Sequence, residues 1–184
     1  MRERGKTTKQ SIAGSLLLAH PAMKDPNFRR CVVLMSAHSA DGAMGVVMNR
    51  PVGKRLGELN GEFALGPLAG VPVFTGGPVQ PKQLLLVAWR DRDDGFQLHF
   101  GIEPERAAHL LAEEGTQLRA YLGYSGWSKG QLENELKHDT WIVTDIPGDL
   151  LEQPQDTSLW QKVLGNLGEE WRLLADEPED PERN

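Results

Sequence analysis

Eight residues supply the variety of groups a binding site needs: His38, Asn49, Arg50, Gly76, Gly77, Tyr124, Trp127 and Gln131. They offer an imidazole, two amides, a guanidinium, a phenol, an indole and glycine backbone. If the ends of the 38–50 hairpin, the Gly76-Gly77 turn and the 124–131 turn meet, these groups form a ligand-binding site. Each of the three segments lies where a strand is expected to end, and loops at strand ends are where a rigid scaffold displays its binding groups. Turn and cap chemistry explains many of the same residues without a ligand. Asn49-Arg50-Pro51 ends a strand. Ser128 and Gln131 have the spacing of a capping box, and Trp127 with Leu132 that of a hydrophobic staple.

Other constellations are weaker. Cys31, His38 and Asp41 are the ingredients of a thiol nucleophile with its base, with Arg29 and Arg30 beside the cysteine. Yet Cys31 opens an apolar run, where cysteine acts as a small buried hydrophobe. Gly76-Gly77-Pro78 could cradle an anion through backbone N–H groups, but the proline has none to give. No phosphate-binding Gly-Lys-Ser/Thr loop or dinucleotide fingerprint occurs. The histidines at 20, 38, 99, 109 and 138 show no metal-binding spacing. Glu133 and Glu135 fall on different faces of their helix, and Glu133 is set to pair with Lys137. No catalytic residue, metal or cofactor is assigned from these patterns.

The elements that position these residues follow from the apolar pattern. Leu16–His20 and the uniformly apolar Cys31–Met35 predict strands, the second buried on both faces. Asp41-Gly42 signals a hairpin into Gly45–Met48. Nine glycines between positions 42 and 77 make that span rich in turns, with a short helix near Leu56–Asn60. Strands are expected over Val71–Phe74, Leu84–Trp89, Phe96–Ile102, Gln117–Leu122 and Thr140–Thr144. Helices are expected from Pro104, from Ser128 and from Ser158, which pairs with Gln161 as a second capping box. Mixed helices, hairpins and at least one antiparallel sheet predict a single α+β domain.

Charge and composition exclude several classes. The 184 residues are 39% hydrophobic and 25% charged, as in a globular protein, with one cysteine and no apolar run near membrane-span length. The basic start before Ile12–Ala19 resembles a short signal peptide, but Gly14 and Ser15 interrupt it, so a strand is expected there. Residues 1–60 hold ten Lys/Arg against four Asp/Glu, whereas residues 61–184 hold ten against twenty-two. Spread-out basic residues in an acidic chain predict no strong nucleic-acid binding. Residues 1–11 are expected to be a flexible arm and 169–184 an acidic C-terminal tail.

Four motifs in order carry a resemblance: residues 14–30 (GSLLLAHPAMKDPNFRR), 38–51 ending in GVVMNRP, 76–79 (GGPV) and 123–133 (GYSGWSKGQLE). Together they resemble the AlgH/YqgE family of bacterial proteins over residues 12–168. The resemblance implies a coiled, partly split, mostly antiparallel sheet with flanking helices. Members are described as uncharacterised, sometimes as transcriptional regulators, and no family catalytic mechanism carries over. In place of a histidine near the end of the segment after GGPV, this chain has Leu84–Arg90. The expectation is a cytoplasmic binding or regulatory module with a protein or small-molecule partner and no membrane association. The alternative is a small-molecule enzyme or hydrolase with its site at the hairpin and Gly-Gly-Pro loops.

Overall fold

The apolar run at Cys31–Met35 has no solvent exposure at any of its five residues. The reason is that its strand is covered on both faces. The computed structural model describes residues 11–178. Nearly all of the expected arm, and the last six residues of the expected acidic tail, lie outside them.

Strands β1 (Leu16–Ala19), β2 (Val32–Ser39), β3 (Gly42–Val47) and β9 (Trp141–Thr144) form one half of a curled, half-barrel sheet. Period-two alternation splits their side chains between two cores. Leu16, Leu18, Val32 and Leu34 face one, and Leu17, Ala19, Val33 and Met35 face the other. Full burial of a large apolar side chain contributes about 1.5–3 kcal/mol, so this two-sided strand pair anchors the domain.

The other half contains β4 (Pro51–Arg55), β5 (Pro72–Thr75), β6 (Val79–Arg92) and β7 (Gly95–Phe100). Helix α1 (Leu56–Leu59) follows β4, and α2 (Pro104–Leu111) covers this half with Ala107 and Leu110 inward. Proline occupies the start of α2, where its missing N–H costs nothing.

Strand β8 (Thr116–Trp127) joins the halves. Its first part lies between β6 and β5, and its last residues pair with β3 through Ala43↔Trp127 and Gly45↔Ser125. The pairing with β5 is the one parallel ladder among the described strands; the rest are antiparallel. The strand expected to stop at Leu122 therefore continues five residues further. Gly123 and Gly126 resemble a turn in sequence, but Gly123 makes room for a neighbouring chain: a Cβ there would lie 2.5 Å from the Gly77 carbonyl oxygen. Strand β6 is likewise longer than expected, with an irregular register between Val79 and Leu84.

Helix α3 (Gln131–Lys137) follows β8, and α4 (Thr157–Gly165) and α5 (Glu169–Ala175) close the far face. Both expected capping boxes differ in detail. At α3 the cap position is Gly130, and Gln131 Oε1 accepts from the Ser128 N–H at 3.0 Å and its hydroxyl at 3.3 Å. The serine thus donates to the glutamine instead of capping the helix. At α4 the cap is Asp156, whose Oδ1 accepts from the Ser158 N–H at 2.9 Å. An ionised carboxylate beside the helix N-terminus is the better acceptor there. Trp160 locks α4 to the sheet by donating to the Ala19 carbonyl at 2.8 Å. The segment expected to begin an acidic tail at residue 169 forms α5, with Ala175 fully buried. Among the described residues no helix is long and apolar enough to cross a membrane.

Candidate functional site

Strand β3 sorts the candidate residues into two clusters. His38 pairs with Ala43 at one end, and Asn49 and Arg50 lie just past the other. Six residues separate Ala43 from Asn49, about 20 Å at strand rise.

At the far end the side chains of Asn49 and Arg50 bond to backbone groups. Asn49 is 2% exposed; its Oδ1 accepts from the Val32 N–H at 3.0 Å and its Nδ2 donates to the Arg30 carbonyl at 2.9 Å. Arg50 donates to the carbonyls of Pro26 and Arg29 at 3.0 and 2.9 Å. Three of these bonds fasten the 21–30 loop to the strand end, and the fourth ties Asn49 to the start of β2. Gly76 and Gly77 lie close by, since Thr75 N–H donates to the Arg50 carbonyl and Val47 N–H to the Gly76 carbonyl, both at 2.8 Å. The Gly76 carbonyl also accepts from the buried Ser125 hydroxyl at 3.2 Å, and the Gly76 N–H donates to the Leu122 carbonyl at 2.8 Å. A Cβ at Gly76 would run into the Gly123 carbonyl, and one at Gly77 into Tyr124. The glycines are therefore where two chain segments cross at backbone distance, and both backbone polar groups of Gly76 are hydrogen-bonded. Tyr124 packs at the edge of the main core.

At the near end carboxylate side chains join the backbone partners. His38 Nδ1 accepts from the Ile12 N–H at 3.1 Å, and His38 Nε2 lies 2.8 Å from Glu133 Oε1. An Nδ1 that accepts a backbone proton leaves Nε2 as the protonated nitrogen, so the imidazole donates to the Glu133 carboxylate. The Ser11 hydroxyl donates to the His38 carbonyl at 3.1 Å, so the start of the described chain is fastened here. Beside it, Glu135 Oε1 accepts from both Trp127 Nε1 at 3.3 Å and Trp141 Nε1 at 3.1 Å. The two indoles meet edge-on at 5.9 Å between centroids, and Phe28 adds an edge contact to Trp141 at 5.7 Å. Trp127 and Leu132 share one core cluster, which fits the staple. Gln131 and Trp127 thus lie at the His38 end, Asn49, Arg50 and the glycines at the other.

Glu133 and Glu135 were missed as partners. Glu133 lies 95 residues from His38 in sequence, and its helical spacing suggested only Lys137. The thiol constellation is not assembled either. Cys31 lies at one end of β2 and His38 at the other, about 20 Å away at strand rise. Burial pushes the Cys31 thiol up to about 12, against a weaker opposing pull from the Arg50 charge. Among the described residues no three His, Cys, Asp or Glu side chains are grouped to hold a metal ion.

Comparison with known proteins agrees with this architecture. A UPF0301 protein of Streptomyces coelicolor is 38% identical, with 98% of this chain and 99% of the relative covered. A UPF0301 protein of Myxococcus xanthus is 34% identical over 90% of this chain and 96% of its own length. Among solved structures, the AlgH protein of Pseudomonas aeruginosa superimposes with a TM-score of 0.66 at 25% identity, covering 97% of this chain and 98% of that one. A Corynebacterium diphtheriae protein shares the fold at a TM-score of 0.69, 21% identity and coverage of 94% and 95%. The AlgH-like family model matches residues 16–172, and the chain belongs to that family.

Proposed function

We propose that this protein acts in the cytoplasm by binding a protein or small-molecule partner in a regulatory role, and not by turning over a substrate. One observation carries this reading. Where the sequence gathers reactive residue types, the side chains are already engaged: Asn49 and Arg50 on backbone carbonyls, Gln131 on Ser128, His38 on Glu133. A general base or nucleophile needs a free and accessible partner atom, and the buried, high-pKa thiol of Cys31 offers none. DNA contact is expected to be weak and lost at moderate salt, because the acidic C-terminal two-thirds opposes phosphate binding.

The test is native mass spectrometry of the protein purified gently from its own cytosol, beside an activity screen with ester, phosphoester and peptide substrates. A stoichiometric bound species with no turnover is the expected result. Hydrolysis that disappears in His38→Ala while the fold persists would overturn the reading and restore the hydrolase alternative.

A further inference from the structure

A carboxylate stands just past the C-terminus of α3, where the fold does not call for one. The helix closes with two crossed backbone bonds: the Asp139 N–H donates to the Leu136 carbonyl at 3.3 Å and the Thr140 N–H to the Glu135 carbonyl at 3.0 Å. That closure puts Asp139 at the left-handed position, with a φ of 54°. Glycine or asparagine serves this position better than aspartate. The negative end of the helix dipole disfavours a carboxylate there as well. The Asp139 side chain is exposed, and no cation or hydrogen-bond donor among the described residues meets it.

The carboxylate borders a cavity of about 390 Å³, lined otherwise by His20, Trp141, Ile142 and Trp171. Three separate parts of the chain supply the rings. His20 follows β1, Trp141 begins β9, and Trp171 comes from α5. The His20 and Trp171 rings stand at 85° to each other with centroids 5.9 Å apart, so they form two walls of a corner. His20 Nδ1 accepts from the Ala22 N–H at 3.0 Å, which leaves the ring proton on Nε2 and adds no positive charge. Trp141, 5% exposed, lines the inner side, its polar edge turned to Glu135. No lysine or arginine lines the cavity.

We propose that this cavity binds a small organic cation carrying a methylated ammonium group. Indole faces attract a cation through the ring quadrupole, more strongly than other aromatic side chains do. N-methyl groups are apolar and pack against rings. A bare ammonium is strongly hydrated and needs acceptors that rings do not supply. Asp139 gives the opposite charge at the rim and turns anions away. None of the eight residues first considered lines this cavity, so the inference does not rest on the binding reading above.

The experiment is an NMR titration of the 15N-labelled full chain with tetramethylammonium chloride, ammonium chloride and sodium chloride at matched ionic strength, and with tert-butanol as an uncharged molecule of similar bulk. The Trp171 Nε1–H resonance is the readout. Saturable movement with tetramethylammonium, and no saturation with the other three, is expected. Asp139→Asn removes the charge and keeps a residue suited to the left-handed position. It should weaken tetramethylammonium binding at least about fivefold while the melting temperature holds or rises. Trp171→Leu should abolish saturation, and if that variant does not fold, Asp139→Asn decides alone. Absent saturation, an equal response to ammonium or tert-butanol, unchanged affinity in Asp139→Asn, or saturation that survives Trp171→Leu would overturn the proposal. So would a lower melting temperature in Asp139→Asn, because the carboxylate would then serve the fold. The titration needs no cytosolic partner, so this site and the regulatory reading can each fail alone.

Discussion

The two ends of β3 use similar polar residues in different ways. At the Asn49–Arg50 end, side chains answer to backbone carbonyls and one backbone N–H, groups that do not change charge with pH. At the His38–Glu133 end, an imidazole donates to a side-chain carboxylate on a helix 95 residues away in sequence. The first arrangement fixes a loop permanently. The second ties a strand end to a helix through two side chains, and the same imidazole also accepts from the Ile12 N–H. Whether a polar cluster is a fastening or an adjustable contact depends less on its residue types than on what they face.

The largest test falls at the near end. Trp127→Ala removes an indole from the core and one of two donors from Glu135, and should cost about 3–5 kcal/mol in urea unfolding. A cost below about 1 kcal/mol would mean the indole is not part of the packed core. Next is Asn49→Ala, which leaves the buried Val32 N–H and the Arg30 carbonyl without partners. A loss of about 2–3 kcal/mol is expected, with faster amide exchange over residues 26–32. If exchange accelerates at His38 instead, the two ends are coupled and the contrast between them fails.

A double-mutant cycle of His38→Gln with Glu133→Gln should give a coupling of about 0.5–1 kcal/mol, because the pair is only partly shielded from water. The coupling should also weaken with salt. A coupling that salt leaves unchanged would place this pair with the permanent fastenings. The last test concerns Cys31, at the fixed end. Its folded-state pKa is raised from 9.0 to about 12, so the folded state keeps the thiol proton that the unfolded chain loses. The stability this contributes is complete below pH 9 and is lost as pH rises toward 12. In Cys31→Ala that alkaline decline should be shallower, and in the parent chain thiol alkylation at pH 8 should proceed only at the rate of unfolding. Rapid alkylation of the native protein would show that the thiol is accessible.

Local signals made much of this architecture readable. The continuous apolar run at Cys31–Met35 states its own burial, and Asp41-Gly42 marks the hairpin that separates β2 from β3. What stayed hidden depends on contacts distant in sequence. Glycines at 123 and 126 look like a turn until the segment from Gly77 to Pro81 is seen crossing Gly123. Helix α5 was masked by its acidic surroundings, although Trp171 and Ala175 turn toward the main core. Asp156 and Ser158 both suit a helix start, and only the position of the first turn decides between them. At the candidate site, residue types could be read, but their partners could not. Nothing near His38 in the sequence points to Glu133.

Strand β8 has a consequence for how the molecule comes apart. Its residues 116–122 belong to one half of the sheet and 125–127 to the other. One continuous strand thus carries ladders to both halves, so disorder that starts in either is transmitted to the other through its backbone. The two halves therefore share one cooperative transition, and the protected amides of β8 should exchange at a common, global rate.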